Sequence, residues 1–148
     1  MKTAGLIAAW LVSFSGAIGF GADLSSQNSN SIQSTCAELM KVKCFAFGGV
    51  GYAGATSKGE IAFHAVLAST NALELFNSVL SRGTDEAKLY ALCGIRSLQR
   101  ESFDSAAKPL LAADPRVNTM SGCLLAEEKA SAVIRRIAEG AYDSYGKR

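Results

Sequence analysis

Four cysteines, a single histidine and a glycine-rich run are the residues of this 148-residue chain whose types and spacing could do chemistry. Cys36, Cys44, Cys93 and Cys123 are even in number, and in an oxidising compartment an even set reads first as structural disulfides. Four cysteines allow three connectivities. The pairing Cys36–Cys44 with Cys93–Cys123 joins nearest neighbours along the chain. A helix would hold residues eight apart at about 12 Å, so that pairing requires a turn within residues 37–43. Zinc needs Cys-x-x-Cys or Cys/His pairs, and a redox dithiol needs Cys-x-x-Cys; neither spacing occurs, so no metal site is expected.

Residues 45–59 read FAFGGVGYAGATSKG. Within them Gly49-Val50-Gly51-Tyr52-Ala53-Gly54 has the G-x-G-x-x-G spacing that cradles a pyrophosphate. That chemistry needs a preceding strand, a helix opening inside the motif, and an acidic residue about 20 positions on. Cys44–Phe47 is a poor strand, the helix signal comes only at Ser57-Lys58-Gly59-Glu60, and no further strands follow to build a parallel sheet. No cofactor is expected. The Gly48–Gly54 loop keeps two other readings: glycines for tight turns and close packing on helices, or a backbone nest for an anion or a peptide carboxylate. Gly49, Gly51, Tyr52 and Gly54, with His64, are its ligand-binding candidates. His64 is the only histidine, and Ser57, Ser69 and Ser78 lie nearby in sequence. There is no G-x-S-x-G elbow to present a nucleophile, and Cys93 could serve only outside a disulfide. No catalytic residue is assigned.

The elements that must position these residues read as short helices. Ser57 caps a first helix through Glu60, Phe63, Val66 and Leu67. Asn71 with Glu74 opens a second, carrying Leu73, Phe76 and Leu80 at helical spacing and stopping at Arg82-Gly83. Thr84, with Asp85 and Glu86 at the positive end, opens the longest helix, which is apolar on most sides and therefore central. Residues 102–113 form a fourth, which Pro109 is expected to kink or break. Residues 117–125 read as irregular or a short extended piece. Glu127 and Glu128 then open a fifth helix with Ala130, Val133, Ile134, Ile137 and Ala141 on one face.

The N-terminus reads as an export signal. Lys2 is followed by an uncharged run from Ala4 to Phe20, with small residues gathered at its end, as signal peptidase requires. Residues 1–21 are the expected signal peptide, and their loss leaves no membrane span and no tryptophan, since Trp10 lies within them. Residues 22–35 (ADLSSQNSNSIQST) hold few apolar side chains and are expected to be a flexible leader. Residues 36–145 are the expected single helical domain. The product is secreted or periplasmic.

Composition narrows the function classes. Hydrophobic residues make up 49% and charged ones 19%, enough to build a core. Fifteen basic against thirteen acidic side chains leave a net charge of +2, which does not suit electrostatic nucleic-acid binding.

The helix pairs joined by tight turns resemble HEAT- or armadillo-like helical repeats. The residues that carry the resemblance are Asn71–Leu80, Thr84–Leu98 and Phe103–Leu111, within about residues 57–113. The resemblance implies a protein-binding helical scaffold. The expectation is thus a mostly α, disulfide-stapled domain of about five helices with a glycine-rich N-terminal loop, acting as an interaction module for another protein. The alternative is a small exported enzyme, a hydrolase or a ligand- or cofactor-dependent one, that uses the Gly48–Gly54 loop and His64.

Overall fold

The computed structural model describes the backbone of residues 24–147 and the side chains from Asn30 onward. The expected signal peptide at residues 1–21 lies outside the described residues. Among the described residues six α-helices and two small β-hairpins follow in order: α1 (Leu24–Leu39), β1 (Gly49–Val50), β2 (Ala55–Thr56), α2 (Lys58–Leu67), α3 (Ala72–Arg82), α4 (Asp85–Leu98), α5 (Phe103–Ala113), β3 (Arg116–Ser121), β4 (Leu124–Lys129) and α6 (Ala130–Ala138). One 3-10 turn, Arg100–Ser102, leads into α5. The mostly helical class agrees with the sequence reading.

Local chemistry sets several boundaries. The Ser57 hydroxyl accepts from the Glu60 amide at 3.0 Å, which closes the first turn of α2. Thr84 does the same for Ala87 at the start of α4. Asn71 makes no such bond at the start of α3, although it stands at the cap position. Gly83 stops α3 by donating its amide to the Val79 carbonyl at 2.7 Å. Helix α5 runs through Pro109 without breaking and ends at Asp114, which is left-handed at φ 41°. Asp114 also accepts from the Ser131 amide at 3.0 Å, so it satisfies a free N–H at the start of α6.

Helix α4 is the axis of the fold. Leu89, Tyr90, Ala91 and Leu92 have no exposed surface, and α4 packs against α2, α3, α5 and α6. This arrangement corrects the HEAT-like expectation. In a solenoid each unit touches only its neighbours, whereas here one helix is surrounded and the chain closes around it. Gly94 permits the closest approach, because a Cβ there would overlap the Phe76 ring of α3.

Four further expectations are corrected. The cysteines form no disulfide; all four are free thiols. Cys36 lies on the buried face of α1 and Cys93 is buried in α4, whereas Cys44 is half-buried and Cys123 is exposed at a hairpin turn. The glycine-rich N-terminal loop is a β-hairpin, with Gly49 opposite Thr56 and Val50 opposite Ala55. Gly51 and Gly54 turn it at φ 68° and 60°, values that favour glycine. The leader reading fails from Leu24 onward, because Ile32, Cys36, Leu39 and Met40 form one stripe that draws α1 onto the core. Residues 116–129 form an antiparallel hairpin, so the extended alternative for residues 117–125 holds, while the helix start expected at Glu127 and Glu128 does not. Glu127 and Glu128 pair with Asn118 and Val117 across it, and the last helix begins three residues later, at Ala130.

Candidate functional site

The two hairpins meet at one end of the molecule, and the segment Cys44–Gly48 joins them to the helical core. Phe45 lies alongside β3, donating its amide to Asn118 O at 2.8 Å and accepting from the Met120 amide at 3.0 Å. Further out, the Gly51 amide donates to the Gly122 carbonyl at 2.8 Å, which sets the two hairpin turns side by side.

A polar clamp fixes this segment over α2 and α4. The Tyr90 hydroxyl donates to Ala46 O at 2.7 Å and accepts from the Ala46 amide at 2.9 Å. Ser57 Oγ donates to the same carbonyl at 2.8 Å. The Glu60 carboxylate, itself 6% exposed, accepts from the Gly48 amide at 2.9 Å. Gly59 is needed beneath the clamp, because a Cβ there would come within 2.6 Å of the Tyr90 hydroxyl. Burial pushes the Tyr90 phenol up to about 12, against the pull of its bonds to Ser57 and Ala46. Around the clamp the aromatic rings interlock: Phe45 lies 4.8 Å from Tyr90, and Phe47 stacks on Tyr145 of the C-terminal segment at 4.8 Å.

Beside the clamp, α1, the segment after it and the first turns of α2 enclose a groove of about 850 Å³. Val42, Ala46, Val50, Ala62, Ala65 and Met120 give it apolar walls. Lys41, Lys43 and Lys58 carry its charge, against the single carboxylate of Glu38. Cys44 lies on its wall, with its thiol held up by burial and then by Glu86. Val50 and Met120 on the groove wall belong to the two hairpins, at whose turns Tyr52, Leu124 and Leu125 are 103%, 76% and 63% exposed.

A smaller cavity of about 480 Å³ lies at the far end of α4, walled by Cys93, Arg96, Arg100, Tyr142, Asp143 and Lys147 among others. Arg96 is 7% exposed and is held by Asp143 through two bonds of 2.8 and 3.2 Å. That bonding outweighs the upward push of burial and keeps the Asp143 carboxyl below its usual range. Burial raises the Cys93 thiol far above its ordinary value, so it stays protonated.

The sequence candidates separate in space and in role. Gly49 sits in β1, while Gly51, Tyr52 and Gly54 form the turn. Two of the amides a nest would offer are spent, since Gly51 N–H bonds Gly122 and Gly54 N–H bonds Gly51. No helix opens inside the motif, because α2 begins only at Lys58. A Cβ on Gly51 or Gly54 would meet nothing within 4 Å, so neither glycine is there for close packing on the helices. His64 stands on an exposed face of α2, with Nε2 3.7 Å from Glu60 Oε1. Ser57 is a helix cap whose hydroxyl is already committed on both sides. Among the described residues no three His, Cys, Asp or Glu side chains gather as metal ligands.

Sequence reasoning missed Tyr90 as the centre of the clamp and the three lysines as one set. Tyr90 reads as one more apolar position of α4, and the lysines come from two segments that only the fold joins.

The chain matches no known family, no curated protein and no solved structure.

Proposed function

We propose that this chain is an exported interaction module that docks a segment of another protein in the groove between α1 and α2. The observation that carries the reading is the groove itself, an apolar trough of about 850 Å³ with three lysines and one glutamate on its walls. That volume falls within the range of about 300–1,000 Å³ typical of ligand-binding clefts. The apolar walls would take buried anchors of the partner, and the lysines would favour a segment with carboxylates beside those anchors. The groove is held in a preformed shape, since Ala46 and Ser57 on its wall are both fixed by the Tyr90 clamp.

The experiment compares partners that stay bound during purification from the exporting host. Ile61 is 58% exposed at the groove, and Leu111 is 41% exposed on α5, so both accept a charge without disturbing the core. Ile61→Asp combined with Lys43→Glu should release the bound partner in native mass spectrometry, while Leu111→Asp should retain it. Retention by the groove variant and release by Leu111→Asp would place docking on another face.

A further inference from the structure

We propose that the paired hairpin turns insert into an anionic lipid surface, with the neighbouring lysines contacting the headgroups. This goes beyond the docking reading and uses different residues as its anchor. Five large apolar side chains stand out as exposed among the described residues: Tyr52, Ile61, Leu111, Leu124 and Leu125. Three of the five lie on the two turns that the Gly51–Gly122 bond holds together.

These side chains project rather than line a trough. Tyr52 stands between two left-handed glycines, a Cβ on either of which would meet nothing within 4 Å, and its own side chain is fully exposed, clear of the protein body. Leu124 and Leu125 follow the Gly122-Cys123 turn of the second hairpin, on adjacent positions of β4 that face opposite sides. A protruding pair of turns tipped with one tyrosine and two leucines suits the boundary between headgroups and acyl chains. There the apolar bodies are buried and a phenol stays hydrated.

Charge complementarity selects the kind of surface. The groove, which has Val50 and Met120 of the two hairpins on its wall, carries Lys41, Lys43 and Lys58, all exposed, against Glu38. Glu127, two residues along from Leu125, lies 3.8 Å from Arg116 and is partly neutralised there. The nearby charge is therefore net positive, as contact with anionic headgroups requires. Neither signal suffices alone, since a shallow apolar insertion and a few lysines each bind weakly; together they bind stably.

The test uses the chain from residue 22 onward, which keeps every core residue that is buried among the described residues and omits the apolar run that would bind lipid by itself. Vesicles of equal phosphatidylglycerol and phosphatidylcholine should sediment this protein, and pure phosphatidylcholine vesicles should not. Replacing Tyr52, Leu124 and Leu125 together by Ser should weaken binding by about tenfold or more, with unfolding unchanged because all three are exposed. A Tyr52→Trp variant, whose new indole is the sole tryptophan in that chain, should shift its emission to the blue on anionic vesicles. An unshifted emission from the Tyr52→Trp variant, or equal binding by the triple variant, overturns the proposal. So does failure of the parent chain to bind anionic vesicles. If the triple variant instead loses the protein partner while no vesicle binds, the turns belong to the protein interface. The groove reading fails separately, through Ile61→Asp with Lys43→Glu.

Discussion

Removing one oxygen at Tyr90 tests whether the clamp holds the groove in shape. Tyr90 has no exposed surface, and its hydroxyl serves both the amide and the carbonyl of Ala46, a residue 3% exposed. Tyr90→Phe keeps the ring and its contacts with Phe45 and Phe47, so little packing is lost. The Ala46 carbonyl keeps Ser57 Oγ, but the Ala46 amide is left buried with no partner. An unpaired buried donor costs about 1–3 kcal/mol, so the variant should lose about 2 kcal/mol in urea unfolding. Ser57→Ala removes a second bond to the same carbonyl together with the cap of α2. The two substitutions should therefore be non-additive in the double variant.

The same residue gives a pH signature. Its phenol titrates near 10 when unfolded and at about 12 when folded, so the folded chain holds its proton longer. The stability this supplies is complete below pH 10 and is lost as pH rises through 12. At pH 11 the parent should have lost about 1.4 kcal/mol that Tyr90→Phe never had, so the gap between the two should narrow by that amount from pH 9. A variant within about 0.5 kcal/mol of the parent at neutral pH, or a gap that stays constant to pH 11, would refute the clamp.

Gly94→Ala should destabilise the fold by about 1–3 kcal/mol in the same assay, because the new methyl overlaps the Phe76 ring, and Phe76→Leu should recover part of the loss. Asp114 is held down to about 2, first by the Ser131 amide and then by Lys129, so its contribution is present above pH 4 and lost as pH falls toward 2. Asp114→Asn tolerates the left-handed φ and should flatten that acid limb in a circular-dichroism titration. Maleimide should label Cys123 fastest in the native protein and Cys44 more slowly, whereas Cys36 and Cys93 should react only on unfolding. Reduction should leave the mass unchanged.

The helical part of the fold was legible where a local signal coincided with its own satisfaction. Ser57 and Thr84 cap the helices that their sequence context announces, and Gly83 ends the helix before it. The glutamates at 127 and 128 carried the opposite lesson. Two acids before an apolar run suit a helix N-terminus, yet here they are strand residues, and Glu128 binds Thr119 and Arg136 at 2.7 Å each. The usable signal was the Gly122-Cys123 turn between two six-residue segments, with Gly122 at φ 55°. The cysteines misled for a different reason. Their even number suggested pairs, but pairing needs Cα atoms within about 7 Å, and sequence separation says nothing about that distance. The groove was illegible because Lys58 meets Lys41 and Lys43 only after β1 and β2 have turned the chain back.

The β3–β4 hairpin explains why apolar exposure gathers at the turns and not along the sheet edge. Ser121 and Leu124 close a two-residue turn, so alternate residues of β4 point their amides and carbonyls away from β3, at Leu125 and Glu127. On β3 the equivalent outward groups are occupied: Asn118 and Met120 bond Phe45, and the Asn118 amide also reaches Glu86 at 3.1 Å. The edge of β4 has no such neighbour among the described backbone bonds, which makes it a template for unwanted pairing. Glu127 and Lys129 put charge along that edge, a common guard against such pairing, and the large apolar side chains of β4 are confined to its first two residues. Leu124 and Leu125 are therefore unguarded at the one point where a second turn, carrying Tyr52, stands beside them. Charging Leu125 as well would extend the guard at no cost to the core, so its absence is what a binding surface requires and a purely structural hairpin does not. Leu125→Lys should accordingly leave the unfolding midpoint unchanged while weakening attachment to anionic vesicles, despite the added positive charge. Stronger attachment would show that charge alone, without insertion of the turns, accounts for the binding.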